Sequence, residues 1–435
     1  MKNDARRVLI VTNAAPPTML ADMHRARMLA DELPKEGWNV ELLVPGRQFQ
    51  RPLWVEPDAM PFVPEHVPIH EVSPVCEKAF RYAGVRSVGW RAFWPMYKAG
   101  CRLLQSRHFD VVYITTAQFC LFNLGKLWTR RFQVPYVLDY HDPWVNDHCR
   151  YMTTDHRYKR RIVSALARCM ERSAIGAAAG VVSVSPDYLD QLRQRYGAVS
   201  CLKPERSIVI PFAGSERDFV VPNPVPLSKP RLTRNVVYVG AGGAIMVQSF
   251  TAICEALAAV RRNRPELIEG LKLQLFGTYA YWKEGDPKPL YEIAARLGLG
   301  GVIEENPARV SYMTALELTC QSDGLFVLGV DDPAYVPSKL FNYALSGKPL
   351  LACMRCDSPV VKMFNRLPGL GHLMSFGNGE VSGTDNIAAM SQFLTDVSQT
   401  MRFDRRDLIS EYLAPNMARR HRDLFEHICS SGRAS

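Results

Sequence analysis

The segment Tyr335-Val-Pro-Ser-Lys-Leu-Phe-Asn-Tyr-Ala-Leu-Ser-Gly-Lys-Pro-Leu-Leu-Ala352 sets Ser338 and Lys339 in the first turn of a helix expected over 336–346. A helix N-terminus offers unpaired backbone N–H groups and a partial positive charge. A lysine and a hydroxyl added there suit a phosphate or a diphosphate. Asn342 lies one turn further along the same face. An ordinary α/β helix with a solvated lysine explains the same residues, so the segment needs context. Gly240, Gly242 and Gly243 follow a strand and let backbone approach a phosphate closely, because no Cβ intrudes. A tight strand-to-helix connection is the plainer alternative. Gly277 and Thr278 end the next strand. Earlier, His141 and Asp142 close a buried strand, where α/β folds place functional groups. Asp142 before Pro143 also reads as a turn or a helix cap. Cys353 and Cys356 form a Cys-x-x-Cys pair after an expected strand, but a zinc site needs two further ligands and none lies nearby.

The elements that position these residues fall into two similar halves. Arg7–Thr12 is an apolar strand, 22–33 a helical pattern, and Trp38–Val44 a second strand, which together make a βαβ unit. Further strands are expected at Val67–Val72, Val111–Ile114, Tyr136–Leu138, Val181–Val184 and Ile208–Ile210. Residues 221–235 hold four prolines and read as a stiff linker between domains. The pattern then restarts with strands at Asn235–Gly240, Leu271–Phe276, Val302–Glu304, Leu325–Gly329, Pro349–Ala352 and His372–Phe376. Helices are expected between them at 248–262, 288–297, 309–321, 336–346 and 357–365, with an amphipathic helical tail over 385–428. The fold class is therefore α/β, with two doubly wound Rossmann-like domains.

Composition agrees with a folded soluble chain. Of 435 residues, 47% are apolar and 22% charged, and no run of 18 apolar residues marks a membrane span. The N-terminal strand is too short and wrongly flanked for a secretory signal. Eleven scattered cysteines point to reduced thiols and a cytoplasmic location. The net charge of +10 is concentrated in the first half: residues 1–220 carry 30 Lys and Arg against 22 Asp and Glu, and residues 221–435 carry 23 against 21. An anionic partner is expected there. Trp90-Arg-Ala-Phe-Trp-Pro-Met-Tyr-Lys-Ala-Gly-Cys-Arg102 interleaves aromatics with cations, as segments at an anionic membrane surface do, or else forms a core helix with a basic outer face. Arg157, Lys159, Arg160 and Arg161 read as a solvated basic face. Nothing resembles a nucleic-acid-binding motif, so no nucleic acid is expected.

Six motifs in order extend this reading: Asp139-Tyr-His-Asp-Pro-Trp144, Glu171-Arg-Ser-Ala-Ile-Gly-Ala-Ala-Ala-Gly-Val-Val-Ser-Val-Ser185, Ile210-Pro-Phe-Ala-Gly214, Tyr238-Val-Gly240, Leu275-Phe-Gly277 and Pro337-Ser-Lys-Leu-Phe-Asn-Tyr343. Together they resemble the GT-B glycosyltransferases, in particular the retaining nucleotide-sugar transferases of glycosyltransferase family 4. The resemblance implies an acceptor domain at 1–220 and a nucleotide-sugar domain at 236–402, facing each other across a cleft. Helices over 403–435 would pack back on the first domain. Gly240, Gly242, Gly243, Gly277, Thr278, Ser338 and Lys339 would hold the donor, with Asn342 on its ribose. His141 and Asp142 would be catalytic, and Asn13 and Arg25 would flank the acceptor rim.

A sugar would pass from a nucleoside-diphosphate sugar to a glycan or lipid-linked hydroxyl with retention of configuration, using no metal and no cofactor beyond the co-substrate. Many relatives carry two glutamates eight positions apart; here those positions are Ala334 and Asn342, and Asp331 or Asp332 is the nearest substitute acid. The loop after Gly240 also lacks the basic residue that many relatives place on the diphosphate. A non-catalytic sugar-nucleotide-binding subunit and a GT-B nucleotide-sugar epimerase are the alternatives.

Overall fold

The computed structural model describes residues 5–20, 22–77, 87–145, 157–197, 199–220, 233–279, 281–377 and 383–431, with the side chains of 157–162 left aside. Most of the proline-rich segment, 221–232, and the side chains of the basic run at 157–161 thus lie outside the described residues.

Two all-parallel sheets organise the chain. The first contains β1 (Arg6–Val11), β2 (Trp38–Pro45), β3 (Ile69–Val72), β4 (Val111–Thr115), β5 (Tyr136–Tyr140), β6 (Gly180–Ser183) and β7 (Ser207–Val209), in spatial order β3-β2-β1-β4-β5-β6-β7. The second contains β8 (Arg234–Val239), β9 (Leu271–Tyr279), β10 (Ile303–Ala308), β11 (Gly324–Leu328), β12 (Leu350–Arg355) and β13 (His372–Phe376), in order β10-β9-β8-β11-β12-β13. Strands such as Val111-Val-Tyr-Ile-Thr115 and Gly324-Leu-Phe-Val-Leu328 are buried along their whole length, as parallel strands covered on both faces must be. In each sheet the order reverses beside its first strand, between β1 and β4 and between β8 and β11. Ligands of doubly wound sheets sit beyond the strand C-termini at such a reversal.

Helices α1 (Met23–Glu32), α2 (Val88–Ser106), α3 (Phe122–Phe132), α4 (Arg157–Ile175) and α5 (Pro186–Tyr196) belong to the first sheet. Helices α6 (Val247–Asn263), α7 (Pro289–Arg296), α8 (Tyr312–Gln321), α9 (Leu340–Leu345), α10 (Pro359–Arg366) and α11 (Gly383–Ser398) belong to the second, and α12 (Ala414–Ser431) follows. The stretch Gly243–Asn263, which includes α6, is long and apolar enough to cross a membrane by composition, although no unbroken apolar run announced it. Much of it is buried in the second core, where Phe250, Ile253, Leu257 and Val260 are sealed from solvent. Its burial is that of a core helix.

The compact units are Met1–Pro211 with Ala414–Ser435, and Phe212–Leu413. The division lies before the proline-rich segment, and the chain returns to the first unit later than the expected residue 403. Local contacts explain both shifts. Gly214 N–H donates to the Tyr412 carbonyl at 2.9 Å, Phe341 stacks on Tyr412 at 4.3 Å, and Arg405 donates to the Lys348 carbonyl at 2.9 Å. These bonds tie 212–220 and 403–413 to the second unit. The expected helical tail is correspondingly broken between α11 and α12 by a stretch whose helical part is one short 3-10 turn, Ser410–Tyr412.

Helix α12 joins the first unit through aromatic and polar contacts. Phe425 meets Trp38 edge-on at 5.5 Å, and Arg420 donates to the Val209 carbonyl at 2.7 Å. His421 is fully buried; Tyr113 OH lies 3.0 Å from its Nε2, and its Nδ1 lies 2.7 Å from the Met417 carbonyl. The carbonyl requires a proton on Nδ1, so Nε2 accepts from the phenol and the ring is neutral. Burial, with Arg25 close by, pushes the ring down to about 3. The unfolded chain therefore takes up a proton that the native state refuses as pH falls from about 6.5 towards 3. Stability should fall by up to about 1.4 kcal/mol per pH unit over that window. Urea midpoints measured from neutral pH downwards should show a shallower loss in His421→Gln; parallel curves would show that His421 is not the group responsible.

Candidate functional site

Each unit carries a cluster of polar groups at the C-terminal edge of its sheet. In the first, Thr115 on β4 and Asp139 on β5 are register partners, so the backbone alone puts their side chains together. Thr115 Oγ1 donates to Asp139 Oδ2 at 2.8 Å. His141 Nε2 lies 2.6 Å from the same oxygen and 3.0 Å from Thr115 Oγ1. Arg25, from α1, reaches it at 3.1 Å and also donates to the Ile210 carbonyl at 2.7 Å. Burial alone would raise the Asp139 carboxyl, but Arg25 and His141 outweigh it and hold it well below the usual carboxylate range. Asp22 lies near the same ring, accepting from Thr116 Oγ1 at 3.3 Å and Ala117 N–H at 3.2 Å. Its carboxyl is raised by burial, an effect that His141 opposes.

The expected residues of this unit separate on inspection. His141 is buried and belongs to the cluster, whereas Asp142 is exposed beside it. Asn13 is buried in the loop after β1, where its carbonyl accepts from Gln50 at 2.8 Å and its Oδ1 has no hydrogen-bond partner among the described residues. Arg25 is not at a rim. Its side chain has no exposure because Asp139 draws it into the sheet's edge, which makes it a structural cation of the site. Asp22, Thr115 and Asp139 were not singled out as candidates from sequence. Asp139 did stand inside a quoted motif, and Asp22 sits at the helix start where an acidic residue is expected.

In the second unit, the loop after β8 lies against β9. Gly240 N–H donates to the Phe276 carbonyl at 2.9 Å and Gly242 N–H to the Thr278 carbonyl at 3.0 Å. Gly240 has φ of 143°, and a Cβ there would strike the Lys339 ammonium. Gly243 has φ of 72°, and a Cβ would lie 2.6 Å from the Tyr279 hydroxyl. Both positions therefore need glycine. Lys339 Nζ donates to the Val239 carbonyl at 2.8 Å and sits 4.4 Å above the Tyr238 ring. The residue is half-buried, but its ammonium lies inside, and burial pushes it down to about 7. The structure thus brings Gly240, Gly242, Gly277, Thr278 and Lys339 together. Thr278 is buried, with its hydroxyl donating to Glu305 at 2.8 Å, and so presents backbone rather than side chain.

Four expectations change here. Helix α9 begins only at Leu340, with Lys339 as its N-cap and exposed Ser338 one residue before it. The helix has six residues, so the lysine, and not an extended helix dipole, supplies the charge. Asn342 bonds its own chain: Oδ1 accepts from Ser215 N–H at 2.9 Å and Nδ2 donates to Asp218 at 2.9 Å, with Tyr312 OH on the same carboxylate at 2.8 Å. A ribose contact would have to compete with both bonds. Asp331 is ion-paired with Arg355, and Asp332 accepts from Ala334 N–H at 2.9 Å, so neither is an idle substitute acid. Cys353 lies within β12, which runs further than expected, and its thiol donates to the Ser249 carbonyl at 3.3 Å. Among the described residues no group of three or more His, Cys, Asp or Glu could hold a metal ion.

Residues 24–213 match the family described as the glycosyl transferase 4-like domain. No curated protein matches the chain in sequence. Among solved structures, Anabaena HepE in complex with UDP and glucose is similar over 97% of this chain and 99% of its own, with a TM-score of 0.56 and 14% identity. WaaG, a glycosyltransferase involved in lipopolysaccharide biosynthesis, is similar over 98% of each chain, with a TM-score of 0.53 and 13% identity. The N-terminal domain of Candida albicans trehalose-6-phosphate phosphatase is similar over 97% of each, with a TM-score of 0.55 and 12% identity. These likenesses show the GT-B fold.

If Asn342 is a clamp, Asn342→Ala should destabilise the second unit by about 1–3 kcal/mol, since it removes one donor from buried Asp218 and the acceptor of the Ser215 N–H. A denaturant midpoint unchanged from wild type would return Asn342 to the list of ligand contacts.

Proposed function

We propose that this GT-B chain, whose residues 24–213 match the glycosyl transferase 4-like domain, moves a sugar from a nucleoside-diphosphate sugar to a hydroxyl acceptor with retention of configuration. The observation that carries the reading is the ammonium of Lys339 held over Tyr238 at the glycine loop, with Gly240 shaped to admit it. In the reaction, the bond from the sugar C1 to the diphosphate oxygen breaks and a bond from C1 to the acceptor oxygen forms. The acceptor proton leaves on the departing diphosphate. Lys339, Ser338 and the backbone of Gly240–Gly243 would stabilise the charge that develops on that diphosphate. His141 would face the reacting sugar from the first unit. HepE structures hold UDP and UDP-glucose, which makes a uridine diphosphate sugar the first donor to test. Asn342's engagement with Ser215 and Asp218 favours, as a second reading, a donor-binding subunit without turnover.

The acceptor is read as a glycan or lipid-linked saccharide met at the cytoplasmic face of a membrane. Trp94 and Trp90 on α2 are 57% and 38% exposed, while Phe93 and Tyr97 pack against the core, so the helix divides its aromatics between core and surface. Trp94, Lys98 and Arg102 also line a groove of about 880 Å³ beside edge strand β3. A surface of rings and cations suits anionic headgroups.

Two measurements test these readings. UDP should raise the melting temperature of the wild-type protein, and Lys339→Met should abolish the shift without altering the unliganded melting point by more than a few degrees. A lysine that is half neutral near pH 7 must regain its proton to hold a diphosphate, so UDP affinity should fall on going from about pH 7 to 9, and Lys339→Met should flatten that slope. A pH-independent affinity would remove Lys339 from the site, and no shift with any nucleoside diphosphate would sink the donor reading. In co-sedimentation, vesicles of anionic phospholipid should retain the protein and phosphatidylcholine vesicles should not, with Trp94→Ala weakening retention. Equal binding to both, or none, would dismiss the membrane surface.

A further inference from the structure

Around His141 the polar contacts converge on one carboxylate oxygen. Asp139 Oδ2 receives Thr115 Oγ1 at 2.8 Å, His141 Nε2 at 2.6 Å and the Arg25 guanidinium at 3.1 Å, all with their side chains buried. The hydroxyl of Thr115 donates its hydrogen bond to that oxygen, so it meets the imidazole with a lone pair at 3.0 Å. Nε2 therefore faces two acceptors, and a nitrogen so placed must carry a hydrogen. Arg25 cannot drift away to relax the arrangement, because it is also bound to the Ile210 carbonyl at 2.7 Å. Nor can Thr115 and Asp139 separate, because their strands hold them in register.

We propose that Asp139 is a positioning residue that fixes His141 as its Nε2–H tautomer, leaving Nδ1 as the hydrogen-bond acceptor of the neutral ring. In a transferase this gives the site a defined acceptor for a hydroxyl of the sugar or of its acceptor, where an unrestrained imidazole would offer either a donor or an acceptor. The purpose of the arrangement rests on the transfer reading above; the tautomer itself does not.

The experiment is two-bond ¹H–¹⁵N correlation spectroscopy of the full-length protein labelled at histidine, above neutral pH, with the His141 signals assigned by their loss in His141→Gln. The expected pattern is that of the Nε2–H tautomer; an Nδ1–H pattern overturns the proposal. Thr115→Val should keep the Nε2–H pattern, because the carboxylate alone still demands the proton, and a change there would shift the role away from Asp139. Asp139→Asn removes the charge while keeping the shape, and should turn the fixed pattern into a mixture of tautomers. In the same variant kcat should drop about tenfold or more while the donor KM stays within about twofold. On the background of His141→Gln, adding Asp139→Asn should lower kcat no further in the folded enzyme, since for turnover a residue that acts through His141 has nothing left to act on. Additive losses would mark Asp139 as merely structural and overturn the proposal. If the Nε2–H pattern appears while His141→Gln leaves turnover intact, the placement of catalysis at His141 fails and the tautomer assignment stands. If Asp139→Asn does not fold, the wild-type and Thr115→Val spectra decide alone.

Discussion

An arginine with no exposed side-chain surface must be paired or it cannot stay charged in a protein interior. Arg25 meets that constraint with Asp139, and much of the first unit is arranged so that it can. Helix α1 must lie across the ends of the strands, β5 must present Asp139 next to Thr115, and the chain after β7 must offer the Ile210 carbonyl. Removing one partner of such a pair typically costs about 3–5 kcal/mol, far more than any surface bridge in this molecule contributes. The same charges reach further. Tyr113 lies beside the pair and hydrogen-bonds His421, which brings α12 under the site from the far end of the sequence. The tail helix is thus part of the scaffold on which His141 rests.

The second unit solves a different problem. Its site has no buried ion pair at the centre; Lys339 forms no ion pair among the described residues, and its ammonium rests on a carbonyl and the face of Tyr238. The polar network next to it joins Asn342 to Asp218, Tyr312 and Ser215 and is turned on the chain itself. At this position the sequence has an amide that can donate and accept at once. That dual capacity is what lets it join the backbone of 215 to the carboxylate of 218. The amide therefore closes a local structure.

The fold was legible from apolar runs, because buried parallel strands such as Val111–Thr115 and Leu350–Arg355 have little freedom to be anything else. The glycine positions were legible for a similar reason, since Gly240 and Gly243 occupy conformations that side chains resist. What sequence could not show was where long side chains end. Arg25 reads as a rim residue of an amphipathic helix, yet it points inward, because the anion that draws it lies more than a hundred residues away. Asn342 reads as a ligand contact from helix periodicity, but its partners come from a segment that precedes the second sheet. Asp139 and Thr115 escaped notice as a pair because only strand order makes them neighbours.

These two clusters imply a division of labour that follows from electrostatics alone. In the first unit, charges are neutralised within the protein, so the geometry around His141 exists before any ligand arrives. Preorganised groups of that kind lower a barrier because no reorganisation is needed at the moment of reaction. In the second unit, a buried amine has no counter-anion among the described residues, and burial pushes its pKa down to about 7. A diphosphate would supply the missing charge and restore the ammonium, so binding there would complete an unfinished site. On the proposed transfer reading, the orienting work would belong to the unit whose charges are already matched, and the anion-capturing work to the other.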